Sequence, residues 1–217
     1  MAKLKTSGTN STKRTMSGTP LSTPLKIVVF IGSVRNYRMA DRVCSYIKAV
    51  ITKSGMEPVI IDPATLPFEI LKTPLHFYRN PAEAPQWLRE TNELIKEADG
   101  FVLLSPEYNY TLSPALTNMI DHFPPRSFRH KPTGIVTYSR GNYGGIASGL
   151  AALPFMLELG MVNIPTGVTI PTVHQTLNEN GETNEEQIIQ KVDQLVNELK
   201  WYAEALKDGK TRCPPPS

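Results

Sequence analysis

The sequence predicts an α/β fold: a doubly wound, five-stranded parallel sheet with helices packed on both faces. The first observation is a set of short apolar runs without polar alternation, such as Lys26–Ile31 and Phe101–Leu104, which is typical of strands covered on both faces. The second is that stretches with helical periodicity separate these runs, as in βαβ units. A chain of 217 residues with 40% hydrophobic and 20% charged residues is large enough for one such domain.

The N-terminal segment differs from the rest of the chain in composition and charge. Residues 1–24 contain no acidic residue and four basic ones, Lys3, Lys5, Lys13 and Arg14, so their formal charge is +4. Because the formal charge of the whole chain is +3, the remaining residues carry 3 − 4 = −1. We expect this Ser- and Thr-rich segment to be a disordered tail; the alternative is an organellar transit peptide. The nearly neutral body argues against a nucleic-acid surface.

Cysteine content and hydropathy bear on the compartment. The two cysteines, Cys44 and Cys213, lie far apart and form neither a disulfide framework nor a metal-ligand cluster with the four dispersed histidines. No apolar run approaches the roughly 18 residues that a spanning helix needs, and no secretory signal precedes the first strand. We therefore expect a cytoplasmic protein without a membrane partner.

The first predicted strand, Lys26–Ile31, leads into the loop Gly32–Arg38 and then a helix over residues 39–52. A loop between a strand and a helix N-terminus binds anions, because backbone N–H groups point outward and the helix dipole favours negative charge. Arg35 and Arg38 add donors suited to phosphate. The spacing matches neither G-x-G-x-x-G nor the P-loop, so this would be a different kind of phosphate site. The alternative is a solvated loop with surface arginines.

The next elements are a second strand, a long loop and a helix. Pro58–Ile61 predicts the strand, and the apolar spacing of Gln86–Ala98 predicts the helix. Residues 66–85 are Pro-rich and show no clear period, so we expect a long loop. Loops of this length in compact domains often act as lids or substrate walls.

A strand, an irregular turn and a helix follow within the stretch 101–123. Phe101–Leu104 is the predicted strand, Ser105–Tyr110 the turn, and the helix begins with Ser113 as N-cap and Pro114 in its first turn. The turn contains a proline, an acid, two tyrosines and an asparagine. Such a loop offers aromatic faces and backbone amides to a planar polar ligand, although most strand–helix connections bind nothing.

The fourth strand, Pro132–Tyr138, is followed by the Gly-rich loop Ser139–Gly145 and a helix over Ile146–Leu159. Glycines let the backbone approach a ligand closely. Pro154 predicts that this helix is kinked or broken into two pieces. The remaining predicted elements are a fifth strand at Met161–Ile164, an edge extension at Val168–Ile170, a loop over 171–183, a helix over Asn184–Leu206 and a frayed tail over 208–217. The folded domain is therefore expected to span residues 25–207.

The loops after strands one, three and four carry the residues suited to a ligand. In the flavodoxin-like strand order 2-1-3-4-5, these three strands are neighbours, so their loops meet at one carboxyl edge of the sheet. A phosphate cradle at one loop and flat, Gly-lined walls at the other two match a mononucleotide with a large ring. The predicted cofactor is FMN.

At these loops the sequence resembles the NADPH-dependent FMN reductase family, and more closely its NAD(P)H:quinone reductase and azoreductase members. The resemblance covers roughly residues 25–200. The matching pieces are Gly32-Ser33-Val34-Arg35, Ser105-Pro106-Glu107-Tyr108-Asn109, Ala115-Leu116, Asn118-Met119-Ile120-Asp121 and Gly144-Gly145.

The resemblance implies a role in FMN binding for each loop. The first loop would bind the phosphate, through Ser33, Arg35, Arg38, Met39 and Ala40. The second would lie along the isoalloxazine, through Pro106, Glu107, Tyr108 and Asn109. The third would touch the pyrimidine end of the ring, through Ser139, Arg140, Gly141, Gly144 and Gly145. Glu107 is expected to matter more through its backbone than as an acid or base.

The resemblance also implies an activity: two-electron, ping-pong reduction of a quinone, an azo compound or free flavin, with NADPH or NADH as co-substrate. No catalytic side chain is named, because the flavin carries the chemistry and the protein orients and tunes it. Arg140 or backbone amides near the ring O2 could stabilise charge on the reduced flavin. Members of the family are usually homodimers or tetramers with the flavin near the subunit interface.

Two alternative functions stay open at this point. The first is a flavodoxin-type carrier that gives single electrons to a protein partner, although such carriers tend to be acidic around the flavin and this body is nearly neutral. The second is a regulatory protein that binds a large partner and senses the redox state of its flavin. Oxidation of NADPH with a quinone as acceptor separates the enzyme from both.

Overall fold

The computed structural model describes residues 23–215, so the predicted basic tail and the alternative transit peptide lie outside it except for residues 23 and 24. The strands are Lys26–Ile31 (β1), Glu57–Ile61 (β2), Gly100–Pro106 (β3), Pro132–Tyr138 (β4), Val162–Asn163 (β5) and Val168–Ile170 (β6). The helices are Ala40–Lys53 (α1), Gln86–Glu97 (α2), Pro114–Asp121 (α3), Ile146–Glu158 (α4), Val173–Thr176 (α5) and Glu186–Arg212 (α6).

The sheet is parallel with the order β2-β1-β3-β4-β5, which confirms the predicted flavodoxin-like fold. Its fifth position is occupied by two segments: the first residues of β4 pair with β5, and Val136–Tyr138 pair with β6. Between the segments Pro165 has no N–H to offer the ladder, and Thr166 donates its N–H to Glu198 Oε2 at 2.9 Å instead. The predicted extension at residues 168–170 is thus confirmed as β6.

Burial on both faces explains why the strands lack polar alternation. In β1, Ile27, Val29 and Ile31 belong to the core beneath α1 and α6. Val28 and Phe30 belong to the core beneath α2, α3 and α4. All five side chains are at most 3% exposed. Because successive residues of a strand point to opposite faces, a strand with helices on both sides must be apolar throughout.

The predicted end of β3 at Leu104 is wrong, and so is the alternative of a helix broken into two pieces at Pro154. β3 continues beyond Leu104 because its ladder with β4 continues, with Ser105 opposite Thr137 and Pro106 opposite Tyr138. The helix after the third loop is not broken at Pro154, since α4 is continuous. Pro154 lies on the exposed side of α4, where a carbonyl without a helical partner can bond to water.

The C-terminal helix is longer than the apolar pattern indicates. α6 runs to Arg212, so the predicted helix end at Leu206 is wrong, and part of the predicted frayed tail is helical. The last turns are polar and are held by local bonds, with Arg212 Nη2 at 2.6 Å from Asp208 Oδ2. They also contact the body through polar groups, since Lys207 Nζ lies 2.9 Å from Asp99 Oδ2, and an apolar period cannot detect such contacts.

The long loop over residues 66–85 is tied to the body. Asn118 of α3 accepts the Leu71 N–H and donates to the Glu69 carbonyl, both at 2.8 Å. The Phe68 ring packs edge-on against Trp87 at 4.9 Å between centroids.

Within residues 23–215 no helix has the length and apolarity needed to cross a bilayer.

Candidate functional site

The loops after β1, β3 and β4 meet at the carboxyl edge of the sheet. The ladders bring the strand ends together and then extend into the loops. The Gly32 N–H donates to the Leu104 carbonyl at 2.8 Å, and the Glu107 N–H donates to the Tyr138 carbonyl at 3.2 Å. Adjacent parallel strands therefore place the three predicted loops side by side.

A close approach at Gly32 joins the first loop to the start of α3. A Cβ on Gly32 would stand 2.5 Å from the Leu104 carbonyl oxygen and 3.0 Å from Ser113 Oγ. The Ser113 hydroxyl donates to the Gly32 carbonyl at 2.5 Å and also accepts the Leu116 N–H as the N-cap of α3. Only glycine fits this junction, because any side chain would separate the two elements.

The first loop directly contacts the second. Ser33 Oγ lies 3.2 Å from the hydroxyl of Tyr108. The guanidinium carbon of Arg35 lies 3.7 Å from the centroid of the Tyr108 ring, a cation–π contact. Arg35 forms no ion pair with any residue in the range 23–215, so its charge remains available to an anion. Ser33 and Arg35 are thus brought together with the Tyr108 ring.

The structure places Arg38 differently from Arg35. Its side chain is 10% exposed, and its Nη2 lies 2.5 Å from Asp62 Oδ2 and 2.8 Å from Asp41 Oδ1. Burial works to raise the pKa of the Asp62 carboxyl, but hydrogen bonds from Arg38 and the Ala64 N–H hold that pKa below its ordinary value. Arg38 also donates to the Ser33 carbonyl, so it braces the first loop against the end of β2.

Met39 and Ala40 form the start of α1. Met39 is the N-cap residue, and no side chain accepts a hydrogen bond from the first turn of this helix. Ala40 is fully buried, and Met39 packs against the same core cluster. These two residues can therefore serve an anion through backbone N–H groups, which a helix N-terminus leaves without partners.

Glu107 connects the second loop to the third. Its Oε2 accepts the N–H groups of Ala147 at 2.9 Å and Ser148 at 3.2 Å, in the first turn of α4. The N-cap residue of α4, Gly145, has no side chain that could do this. Glu107 therefore caps the N-terminus of α4. The positive end of the helix dipole also stabilises the negative charge of Glu107 there.

Two residues of the second loop have left-handed backbone conformations. The φ of Asn109 is 53° and that of Tyr110 is 63°. Non-glycine residues with such angles are uncommon, and they cluster at functional sites. Tyr110 is 83% exposed, whereas Pro106 is buried at the end of β3 and Tyr108 is half-buried. The loop thus presents the Tyr108 ring and strained backbone at the sheet edge.

The Gly-rich third loop packs against the segment after β6. Gly144 has a φ of +63°, and a Cβ there would stand 2.8 Å from the Pro171 nitrogen. Gly141 accepts the Thr172 N–H and Ser139 accepts the Val173 N–H, both at 3.0 Å. Arg140 and Gly141 are exposed at the tip, and Gly145 is buried at the start of α4. The segment 171–173, which sequence reasoning assigned only to a loop, therefore supports the third loop.

Tyr138 is a residue of this edge that sequence reasoning missed. It ends β4, is 4% exposed, and its buried hydroxyl has no hydrogen-bond partner among the described residues. Its identity as the last apolar residue of a strand indicates only core packing. The alternation of β4 could have placed it on the α1 face, the same face as the anion loop.

Two of the clefts on the described part of the chain bear on the location of the site. One, of about 480 Å³, lies beside the second loop and is lined by Tyr108, Asn109, Thr111, Leu112, Pro114, Thr117, Ala151 and Phe155. The other, of about 750 Å³, lies along the outer side of α2, and none of the predicted site residues lines it. The smaller cleft is the one that adjoins the candidate site, because Tyr108 and Asn109 of the second loop line it.

The donors at the edge fit a flavin mononucleotide. A hydroxyl (Ser33), a free guanidinium (Arg35) and an uncapped helix N-terminus are the groups that bind phosphate, and the Tyr108 ring and Gly-rich backbone suit a planar ring. The buried Tyr138 hydroxyl, which has no hydrogen-bond partner within residues 23–215, adds a further donor. The fold and these loops define a mononucleotide-binding α/β protein of the flavodoxin type.

Comparison with known proteins gives the family. The family described as NADPH-dependent FMN reductase matches residues 25–175, and the chain belongs to it. An NADPH azoreductase from Bacillus sp. (strain OY1-2) is 29% identical over 187 residues, which cover 86% of this chain and 97% of that protein. An NAD(P)H:quinone oxidoreductase from Solanum tuberosum is 32% identical over 149 residues, which cover 65% of this chain and 73% of that protein.

A solved structure supports the fold. The flavoenzyme NAD(P)H:(acceptor) oxidoreductase from Paracoccus denitrificans matches with a TM-score of 0.65 at 17% identity, over 83% of this chain and 98% of that chain. Family membership confirms the class that the sequence predicted: an oxidoreductase that uses FMN with a reduced nicotinamide nucleotide.

Proposed function

We propose that this chain catalyses the two-electron reduction of quinones, azo compounds or free flavin by NADPH or NADH, at an FMN site built by the three loops. The observation that carries the proposal is the contact of Arg35 and Ser33 with Tyr108, which joins an anion-binding loop to an aromatic wall. The names of the azoreductase and quinone reductase relatives support the choice of acceptors.

Each loop would hold one part of the cofactor. Ser33, Arg35 and the backbone N–H groups at Met39 and Ala40 would bind the phosphate. Arg38 would act indirectly, by fixing the backbone of Ser33. The stretch Pro106–Asn109 would lie along the isoalloxazine. Ser139, Arg140, Gly141, Gly144 and Gly145 would surround the pyrimidine end of the ring.

The protein orients and tunes the reaction. When bound, FMN supplies the redox chemistry, taking a hydride from the nicotinamide and passing the electrons to the acceptor. Glu107 holds the α4 N-terminus and so fixes the third loop relative to the second. Arg140 places a positive charge at the exposed tip of the third loop, where it would favour negative charge on a reduced ring. Neither role requires proton transfer by a side chain.

The cleft beside the second loop is the proposed acceptor site. Its walls include Tyr108 of the second loop, Leu112 just before α3, and Phe155 of α4. A planar, mostly apolar acceptor such as a quinone can stack in such a cleft with few polar contacts. The same walls suit the nicotinamide ring, in keeping with alternate occupation of one pocket in a ping-pong cycle.

The exposed face of α4 supports a homodimer. Ile146, Leu150, Leu153 and Leu157 are 55%, 63%, 42% and 78% exposed, and their spacing places them along one side of the helix. An apolar stripe of this size on a surface indicates an interaction site. The acceptor cleft touches another side of the same helix, where Ala151 and Phe155 line it, so the proposed interface would lie close to that cleft.

The compartment and the activity can both be tested. Cys44 and Cys213 are free, and this supports a reducing compartment such as the cytoplasm. We expect the purified protein to be yellow and to oxidise NADPH rapidly when menadione or an azo dye is present. A colourless protein that does not take up FMN would overturn the proposal, whereas a flavin-loaded protein that does not oxidise NAD(P)H would favour the carrier or the regulator.

A further inference from the structure

Tyr138 ends β4 with a side chain that is 4% exposed and a hydroxyl that has no hydrogen-bond partner within residues 23–215. Buried tyrosine hydroxyls normally find a partner, because an unpaired polar group in the interior is costly. A phenylalanine would fill the same core position without that cost. The hydroxyl therefore calls for a partner that residues 23–215 do not supply.

The residue is built into the edge that the three loops form. Its carbonyl accepts the Glu107 N–H at 3.2 Å, and it pairs with Pro106 across the ladder. Its ring belongs to the core cluster that contains Ala40 and Val43, in the first turns of α1. Tyr138 thus ends its strand beside the second loop, on the face of the sheet that α1 covers.

The chemistry of the hydroxyl suits a donor. Burial raises the pKa of Tyr138, and the nearby Tyr108 raises it further, so the hydroxyl keeps its proton at any physiological pH. A protonated phenol in this position can donate to an anionic or alcoholic oxygen. Among the groups that could enter this edge, the phosphate and the ribityl chain of a flavin nucleotide carry such oxygens.

We propose that the Tyr138 hydroxyl is a ligand of the bound flavin nucleotide and donates a hydrogen bond to a phosphate or ribityl oxygen of FMN. This inference rests on the proposed function. Tyr138 then joins Ser33 and Arg35 as a third side chain that recognises the polar part of the cofactor. It acts in binding and takes no part in hydride transfer.

The variant Tyr138→Phe tests the proposal, with binding measured on flavin-free protein by quenching of flavin fluorescence. We expect the Kd for FMN to rise about tenfold, while the thermal midpoint of the flavin-free variant equals or exceeds that of the wild type. The matched control is Tyr46→Phe, which removes a hydroxyl from a half-buried tyrosine packed on the same core cluster and should leave the Kd unchanged. Riboflavin, which lacks the phosphate, distinguishes the two kinds of oxygen. If Tyr138→Phe weakens the binding of riboflavin and FMN equally, the hydroxyl binds the ribityl chain. If it weakens the binding of FMN alone, the hydroxyl binds the phosphate.

An unchanged FMN affinity in Tyr138→Phe overturns the inference. If the flavin-free variant is then also less stable, the hydroxyl has a structural partner such as a buried water. Failure of the proposed function is a separate result, because in that case the wild-type protein itself does not bind FMN.

Discussion

The guanidinium carbon of Arg35 lies 3.7 Å from the centroid of the Tyr108 ring. This contact joins the loop after β1 to the loop after β3, and the bond between Ser33 and the Tyr108 hydroxyl, at 3.2 Å, reinforces it. The two loops come together because β1 and β3 are neighbours in the sheet. A cation suited to phosphate therefore stands beside an aromatic face suited to a flavin ring.

Glu107 is predicted to stabilise the fold by capping α4, and not to act as an acid or base. Glu107→Ala should lower the free energy of unfolding by about 1–2 kcal/mol, because α4 loses the acceptor for its Ala147 and Ser148 N–H groups. Glu107→Gln keeps an acceptor oxygen, so its decrease in the free energy of unfolding should be less than half of that of Glu107→Ala. Urea unfolding of both variants measures this. If Glu107→Gln abolished NADPH oxidation with stability and flavin content unchanged, the carboxylate would be an acid or base instead.

The pair of Arg38 and Asp62 makes a pH-dependent contribution to stability. Folding lowers the pKa of Asp62, so this contribution is present above the unfolded pKa of about 3.9 and is lost as the pH falls through the folded-state pKa. Asp62→Asn should cost about 2 kcal/mol at pH 7, since Arg38 loses its charged partner in a site where both side chains are largely buried.

Urea unfolding between pH 3 and pH 7 checks this. The difference in stability between the wild type and Asp62→Asn should shrink as the pH falls below about 4. Asp208→Asn, which alters an exposed pair within α6, is the control and should show little effect at either pH. If the difference in the free energy of unfolding between the wild type and Asp62→Asn stays constant with pH, Asp62 is not ionised in the folded protein.

Arg140 is predicted to tune the flavin. Arg140→Ala should leave FMN bound but make its two-electron midpoint potential about 20–30 mV more negative, because a positive charge near the reduced ring is lost. Spectroelectrochemical titration of the loaded protein measures the shift, with Arg126→Ala as the control in the distant cleft along α2. Unchanged potential, affinity and turnover would show that Arg140 has no contact with the flavin.

The α4 stripe is predicted to be the dimer interface. Leu150→Glu should raise the dimer Kd at least about a hundredfold, since a two-fold interface loses the same apolar contact twice and gains two charges. Sedimentation velocity should then show a monomer. Leu94→Glu places the same charge on an apolar residue of α2 that is 42% exposed, and it should remain dimeric. A wild-type monomer, or a dimeric Leu150→Glu, would contradict the assignment.

The fold was largely predictable because burial on both faces makes the strands uniformly apolar, as in Val28 and Val29 of β1. The strand order was taken as that of the flavodoxin-like fold, and the meeting of the three loops at one edge followed from that order. What could not be predicted depends on contacts between distant residues. Nothing near Arg38 in the sequence shows that its charge is taken by Asp62 at the end of β2. This bond leaves Arg35 as the cation of the loop that we propose for the phosphate.

The second loop shows the same limit. Its composition predicted a ligand wall, but the role of Glu107 depends on α4, whose first turn lies 40 residues further along the chain. The end of β3 was placed too early, because Ser105 and Pro106 are strand residues only through their pairing with β4. Tyr138 was overlooked for a related reason, since only the packed structure shows that its hydroxyl has no partner among the described residues.

The affinity of Arg35→Ala for FMN and for riboflavin tests the central claim most directly. If the first loop binds the phosphate, the Kd for FMN should rise about 10- to 100-fold while that for riboflavin changes little, because a charge-assisted hydrogen bond to the phosphate is lost. Arg126→Ala, in the cleft along α2, should leave both Kd values unchanged. An unchanged FMN Kd in Arg35→Ala, or an equal loss for riboflavin, would contradict the proposed phosphate site.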